Sequence, residues 1–293
     1  MAQIAAQTID DALPLEDRPV IARTGRAHAL RGGAVWALAF AVLAYCIWGV
    51  ATNQAMRWDS IARFLTAPII LQGVLITIAI AFCAAVFGLF GGLVVALMRM
   101  SENPLIRSIA IGYLGLFRAV PLLVQILIWY NLGTFLPRLG IGIPFTDIGI
   151  FGDTNVILSP FVACLVALAL NQAAYMGEII RGGLLSVQPG QIEAAIALGM
   201  TPKKAFRRVV APQAARSIIP PLGNDMINLL KATSLVSVVG VGDLMTRAQG
   251  IYASNYQVIP LLIVASIWYL ILTVLITFVQ SLLERRFAAG ATR

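Results

Sequence analysis

The sequence has few charged residues and very few histidines, cysteines and lysines. Only 12% of its 293 residues are charged and 59% are hydrophobic, whereas soluble domains carry about 25% charged residues. Histidine occurs once, at His28, so we expect neither a Ser-His-Asp triad nor a histidine-rich metal site. Lysine occurs only at Lys203, Lys204 and Lys231, and none completes the glycine-lysine loop that binds nucleotide phosphates. We therefore expect an integral membrane protein that is not an enzyme, with no catalytic residue, no metal ligand and no cofactor of its own.

The sequence contains several long apolar runs with few charged residues. A helix needs about 20 mainly apolar residues to cross a bilayer. Six runs qualify, at residues 34–51, 69–97, 109–135, 157–179, 218–241 and 258–283. The three cysteines, Cys46, Cys83 and Cys164, lie within these runs, and we expect them to pack in the core. The predicted fold is all-α with six transmembrane helices. A polar tail is expected over residues 1–33 and a loop over residues 137–155.

The positions of Lys and Arg predict the orientation in the membrane, because cytoplasmic loops are enriched in both. With the amino terminus inside, 15 of the 21 fall on the cytoplasmic side and four on the other side. This bias explains the net charge of +8 without any nucleic-acid partner. Both termini and the loop at residues 188–212 are therefore predicted to be cytoplasmic.

The 188–212 loop carries the signals of two short helices. Residues 191–198 are predicted to form the first, with Glu193 in its first turn, where the helix dipole favours an acid. Gly199 suits the left-handed position after a helix end. Thr201 is a good N-cap and Pro202 a good first residue for a second helix. That helix would have a basic side made of Lys203, Lys204, Arg207 and Arg208. Such a surface indicates either a docking site for a cytoplasmic partner or an ordinary basic loop between two helices, and the local signals alone do not favour one of them.

The amino-acid sequence of this loop closely resembles the Glu-Ala-Ala loop of membrane subunits of binding-protein-dependent ABC importers. In that family a glycine follows six positions after the glutamate, and an apolar-x-apolar-proline sequence ends the loop. The residues that the resemblance marks as coupling to an ATPase are Glu193, Ala194, Ala195, Gly199, Pro202, Arg207 and Pro212.

Three further stretches narrow the resemblance to the polar amino-acid permeases of the histidine/glutamine type. Residues 117–125 read Phe-Arg-Ala-Val-Pro-Leu-Leu-Val-Gln, residues 173–183 precede the loop, and residues 223–235 include Leu-Lys-Ala-Thr-Ser-Leu. The resemblance covers about residues 66–286 and implies a type I-like core of five helices, with residues 34–51 as an accessory helix. It also implies import of amino acids across a bacterial inner membrane.

The same resemblance implies the partners. They are a second permease subunit, identical or different, an external amino-acid-binding protein, and two cytoplasmic ATPase subunits that bind ATP and Mg. The surrounding lipid is the remaining contact.

Polar residues on two spans are candidates for the substrate pathway, since polar groups in a bilayer usually face protein or water. Asn224, Asn228, Lys231 and Ser234 share one helical face, and Asn171, Tyr175 and Glu178 share another. Lys231, Thr233 and Ser234 offer donors for a substrate carboxylate, and Glu178 and Asn171 offer acceptors for its ammonium group. In the alternative interpretation these residues only hold helices together, and Glu178 pairs with Arg181.

Two positions predict local helix geometry. Pro121 removes a backbone donor, so we expect a break in the third span, with the freed carbonyl accepting from the nearby cation of Arg118. Gly88-x-x-x-Gly92 permits two helices to approach closely.

Two other functions remain open at this point. A secondary transporter or channel would carry a small polar solute without an ATPase, but the paired half-helix repeats common in such carriers are not found in this sequence. A membrane scaffold without transport activity would leave the two polar faces unexplained.

Overall fold

The computed structural model describes residues 25–142 and 149–288. The chain divides into two compact units, one reaching Arg57 and the other beginning at Trp58. In the first unit, helix α1 (Gly25–Thr52) precedes a short 3-10 turn (Gln54–Met56), and the Asn53 side chain caps that turn by accepting from the amide of Ala55. The predicted tail is therefore shorter than expected: residues 25–33 already belong to α1, and residues 1–24 lie outside the described part.

The second unit is mainly helical. Its α-helices are α2 (Trp58–Leu65), α3 (Pro68–Arg99), α4 (Pro104–Ala119), α5 (Leu122–Tyr130), α6 (Leu132–Phe135), α7 (Thr154–Ile157), α8 (Pro160–Leu185), α9 (Pro189–Ala197), α10 (Pro202–Ala205), α11 (Ala211–Ala232), α12 (Leu244–Asn255) and α13 (Val258–Ala288). Two strands, β1 (Arg138–Gly142) and β2 (Gly149–Asp153), lie between α6 and α7.

The membrane-spanning helices agree with the apolar runs. Helices α3, α8 and α13 are each long and apolar enough to cross a bilayer, and the described residues give up to six spans if each of three bent pairs counts as one. The predicted break in the third span is confirmed, because α4 and α5 meet at an angle of 101° around Val120 and Pro121.

Helices α3 and α8 pack together through small residues. A Cβ added at Gly88 would lie 2.7 Å from Gln172 Cβ, and one added at Gly92 would lie 2.8 Å from Met176 Cβ. These separations leave no room for a side chain, so the predicted close approach at this glycine pair is confirmed. Because lipid is as apolar as leucine, such contacts, rather than water exclusion, hold membrane helices together.

A buried cluster at the centre of the second unit joins five elements. Ile80, Ile126, Leu168, Leu229 and Val236 come from α3, α5, α8, α11 and the 3-10 segment after α11, and Cys164 of α8 belongs to the same cluster. The core position predicted for Cys164 is confirmed. Cys83 is only partly buried and Cys46 is exposed.

The segment predicted to be a loop contains two paired strands. Strands β1 and β2 pair antiparallel, with Arg138 opposite Asp153. The amide of Thr154 extends this pairing by donating to Pro137 O at 3.0 Å. The loop prediction was therefore wrong over these residues, because glycine-rich strands lack the alternation of apolar and polar side chains by which a strand is usually predicted.

The 188–212 loop also differs from its prediction. Helix α9 begins at Pro189 rather than Gln191, so Glu193 lies beyond the first turn and the helix dipole does not explain it. The second predicted helix is not separate: α10 continues through a π-helical turn (Phe206–Val210) into α11. A single helical path therefore runs from the loop into the fifth span.

Candidate transport pathway and loop surface

The break between α4 and α5 is stabilised by two side-chain amides. Pro121 has no N–H to donate to the carbonyl of Phe117. Gln125 Nε2 donates to Phe117 O at 2.9 Å and to Val120 O at 2.8 Å, and Asn171 Nδ2 donates to Phe117 O at 2.9 Å. The break was predicted correctly, but the predicted donor was wrong, because amides rather than the guanidinium of Arg118 bind the freed carbonyl.

A cavity of about 390 Å³ lies between this break, α8 and α11. We name it the amide cavity. Its polar lining consists of Arg118, Asn171, Gln172, Tyr175, Asp225 and Asn228. The Gln172 amide donates to the Asp225 carboxylate across the wall, which ties α8 to α11. The cavity therefore contains one carboxylate and one guanidinium among neutral polar groups.

A second, more open cavity of about 510 Å³ lies between the end of α3, α4 and α8. We name it the arginine cavity. It is lined by Arg99, Ile111, Leu114, Gly115, Arg118, Ala119, Tyr175 and Glu178. Arg181 binds Glu178 with two hydrogen bonds, Nε to Oε1 at 3.1 Å and Nη2 to Oε2 at 2.9 Å, so the predicted pairing of these two residues is confirmed.

The predicted pathway residues differ in their surroundings. Asn171, Tyr175 and Asn228 line the amide cavity, and Tyr175 and Glu178 line the arginine cavity. Lys231 is exposed and lines neither of these cavities.

The remaining two hydroxyl groups bind backbone. Thr233 is buried and donates to Leu230 O at 2.6 Å, and Ser234 donates to Lys231 O at 2.7 Å. None of the three residues predicted to receive a carboxylate therefore lines the amide cavity or the arginine cavity.

The cavity contains residues that the pathway prediction did not include. Gln172 and Asp225 are both part of its wall, and so is Arg118, for which a role at the helix break was preferred over a role in the pathway. Asp225 had a sequence signal, since an acid within an apolar span is costly and usually functional. Gln172 had none, because its role depends on the close packing of α8 with α3 and α11.

The 188–212 loop presents a surface fixed by backbone geometry. Gly199 adopts a left-handed conformation with φ of 77°, as predicted. Its amide donates to Ile196 O at 2.9 Å, and the amide of Met200 donates to Ala195 O at 3.1 Å, which ends α9 in a Schellman motif. The side chain of Thr201 makes no capping hydrogen bond, so that part of the prediction was wrong.

Most of the predicted coupling residues are on the surface of this loop. Ala195 is buried; the exposed ones are Glu193, Ala194, Gly199, Pro202, Arg207 and Pro212. Large apolar side chains are exposed beside them: Leu198 is 79% exposed, Ile196 54% and Phe206 52%. An apolar patch next to charged residues is typical of a surface that another protein covers.

Comparison with known proteins gives the family. Residues 88–289 match the model of the family described as "Binding-protein-dependent transport system inner membrane component". The chain is 37% identical over 258 residues to an arginine transport system permease of Corynebacterium glutamicum, covering 88% of this chain and 80% of that one. It is 38% identical to an L-cystine transport system permease of Bacillus subtilis, covering 80% and 92% respectively.

Solved structures show the same architecture. The crystal structure of an amino acid ABC transporter with histidines matches with a TM-score of 0.62 and 39% identity, over 75% of this chain and 94% of that chain. An inward-facing methionine ABC transporter matches with a TM-score of 0.58 at 20% identity, which shows the fold alone. The predicted ABC importer permease fold and the resemblance to amino-acid permeases are confirmed. The chain therefore belongs to the inner membrane component family of binding-protein-dependent transport systems and is a multi-pass permease subunit of such an ABC importer.

Proposed function

We propose that this chain carries polar amino acids into the cell, working with two ATPase subunits that bind ATP and Mg, a second permease subunit and an external binding protein. Arginine, glutamine and cystine are the substrates to test first, because they appear in the names of its relatives. The observation that carries the proposal is the continuous helical path from the exposed 188–212 loop to the wall of the amide cavity.

The loop surface supports docking of an ATPase. Ile196, Leu198 and Phe206 offer exposed apolar area, and Glu193 is an exposed acid on α9, the same short helix as Ile196. Burial of these apolar side chains in a groove would stabilise the complex by about 25 cal/mol per Å² of apolar surface removed from water. The exposed residues of this loop are proposed to form the contact: Glu193, Ala194, Gly199, Pro202, Arg207 and Pro212. The buried Ala195 is proposed to support the loop beneath that contact.

The loop is proposed to face the cytoplasm together with both termini. Cytoplasmic loops are enriched in Lys and Arg, and this loop carries four exposed basic residues: Lys203, Lys204, Arg207 and Arg208. An ATPase that hydrolyses cytoplasmic ATP would meet the loop on that side.

The amide cavity is proposed to accept the substrate on its way through the membrane. An amino acid carries a carboxylate and an ammonium group, and the cavity wall offers one guanidinium, Arg118, and one carboxylate, Asp225. Asn171, Tyr175 and Asn228 add neutral hydrogen-bonding groups to the same wall. The residues predicted from sequence to bind the carboxylate lie outside the lining of this cavity; they are Lys231, Thr233 and Ser234. The cavity volume of about 390 Å³ lies within the range of small-molecule sites, roughly 300–1,000 Å³.

The helical path explains how ATP binding would move the cavity wall. If ATPase closure shifts the loop, α10 and the π-helical turn move with it, because they continue into α11 without a break. Asp225 and Asn228 lie on α11, whereas Asn171 and Tyr175 lie on α8. A displacement of α11 relative to α8 would therefore change the distance between the two walls.

Reconstitution tests the proposal. We would place the chain in vesicles with its ATPase subunits and binding protein, and measure uptake of labelled arginine, glutamine and cystine with and without ATP. Uptake of one of them that requires ATP and all partners is the expected result. Uptake by the chain alone, driven by an ion gradient, would instead show a secondary transporter, and absence of uptake of any of the three would contradict the proposed substrates.

A further inference from the structure

We propose that Arg118 is a gate between the amide cavity and the arginine cavity, closed when its guanidinium lies over the ring of Tyr175 and open when it binds Glu178. The proposal rests on the transport function argued above, since a gate has a role only if a solute passes. It assigns to Arg118, Tyr175 and Glu178 a shared task that the family match does not give them.

The two cavities have a common wall. Arg118, Ala119 and Tyr175 line both of them, and of these three Ala119 is too small to close a passage. The guanidinium carbon of Arg118 lies 5.4 Å from the centroid of the Tyr175 ring, within the range of a cation–π contact. The contact therefore lies at the boundary between the two spaces.

The backbone on both sides of this contact is held in place. Gln125 and Asn171 bind the carbonyl of Phe117, directly before Arg118. One turn earlier on α4, the hydroxyl of Tyr113 donates to Leu170 O at 2.6 Å, which ties α4 to α8. Because the helix ends are fixed, movement at this boundary falls to the long side chain of Arg118, which is exposed.

A second partner for the guanidinium lies one helical turn away. Glu178 follows Tyr175 by three residues on α8, so the carboxylate and the ring are neighbours on one helix face. Both line the arginine cavity with Arg118. A hydrogen bond between a guanidinium and a carboxylate is stronger than a neutral one, but Arg181 already occupies both oxygens of Glu178. Arg118 would therefore compete with Arg181 for this carboxylate when it leaves the ring.

The gate can be tested without ATP by measuring how fast the substrate leaks out of vesicles. We would load vesicles that contain the full transporter with labelled arginine and follow its efflux. Replacing the ring by Tyr175→Leu should raise efflux about 3- to 30-fold, the range that corresponds to loss of a cation–π contact. Tyr175→Phe keeps the ring and should leak less than Tyr175→Leu. Tyr130→Leu is the matched control, because Tyr130 is also 39% exposed but lines neither cavity.

The second partner is tested by uptake rather than leakage. Glu178→Gln leaves the ring contact intact, so vesicles should stay tight while ATP-driven uptake falls about tenfold. If Tyr175→Leu does not insert, Arg118→Gln serves in its place and should leak equally, with exposed Arg107→Gln on the same helix as control.

The outcomes separate the gate from the transport function. Equal efflux from Tyr175→Leu and Tyr175→Phe would overturn the gate, as would a leak from Glu178→Gln that matches Tyr175→Leu. Absence of ATP-driven uptake by the unmodified complex would count against the transport function instead, and the comparison of efflux rates would still stand.

Discussion

The 188–212 loop and the amide cavity are built by different kinds of bond. Backbone hydrogen bonds fix the loop, as at Gly199 and Met200, and leave most of its side chains exposed. In the cavity, side chains make the bonds between helices: Gln172 joins α8 to α11, and Asn171 joins α8 to α4. A partner protein would therefore meet a preformed shape at the loop, whereas a solute would meet groups whose positions depend on helix packing. Substitutions in the two regions should fail in different ways.

The largest effect is expected at the loop, from Glu193→Lys. Reversal of this exposed charge should leave the fold intact, but it places a cation at the position where the ATPase surface is proposed to bind an acid. Loss of a charge pair at an interface costs about 2–5 kcal/mol, so ATP-driven uptake should fall by roughly 30-fold to more than 1,000-fold. Uptake and ATPase activity would be measured in vesicles at equal membrane abundance. Gln191→Lys, an exposed change on the same helix, is the control. Normal uptake by Glu193→Lys would end the coupling role proposed for this residue.

A smaller effect is expected at the cavity, from Asp225→Asn. The amide still accepts a hydrogen bond from Gln172, so the tie between α8 and α11 persists, but the charge that would bind an ammonium group is gone. Hydrogen bonds to charged groups contribute about 1.5–3 kcal/mol, which corresponds to roughly 10- to 100-fold in uptake at low substrate concentration.

The control for this variant is on the same helix. Asn224→Ala changes the preceding residue, which is exposed and outside the cavity lining, and should transport normally. A transport KM for Asp225→Asn equal to that of the unmodified chain would show that the carboxylate does not bind the substrate.

The difference between local backbone bonds and contacts between helices explains which features could be predicted from sequence. The left-handed Gly199 and the break at Pro121 were predicted correctly, because each depends on one residue and its immediate neighbours. The close approach at Gly88 and Gly92 was also visible, since small residues at this spacing permit only a few packings. Local chemistry and helical periodicity were therefore enough for most of the helices.

The cavity wall was predicted less well, because helical faces show which residues align but not which face turns inward. Asn224, Asn228 and Lys231 share a face as predicted, yet only Asn228 lines the cavity. The carbonyls at the helix break accept from Gln125 and Asn171, and the second of these lies 54 residues from Phe117. Contacts over such sequence distances depend on the packing of α4 against α8, which periodicity does not reveal.

Gln125 offers a test of stability within the cavity region. Gln125→Met keeps the side-chain length but removes both donors, leaving Val120 O without that bond and Phe117 O with Asn171 alone. An unsatisfied buried carbonyl costs about 1–3 kcal/mol, so the midpoint of thermal unfolding in detergent should fall. Gln72→Met, at an exposed position on α3, should leave it unchanged. Equal midpoints for both variants would show that the break does not depend on the Gln125 amide.

The smallest effect is expected from alanine substitutions of two glycines in the loop. They distinguish the need for a left-handed backbone conformation from the need for space around the residue. Gly199 and Gly190 both have open space around the position of a Cβ, but only Gly199 has a positive φ, 77°. A side chain in the left-handed region costs roughly 1–2 kcal/mol, so Gly199→Ala should loosen the end of α9 and reduce uptake severalfold, whereas Gly190→Ala should have no effect. Faster amide hydrogen exchange at Met200, whose N–H bonds to Ala195 O, would locate the damage at the Schellman motif. Equal exchange and uptake in the two alanine variants would mean that the loop shape is imposed by its partner and not by Gly199.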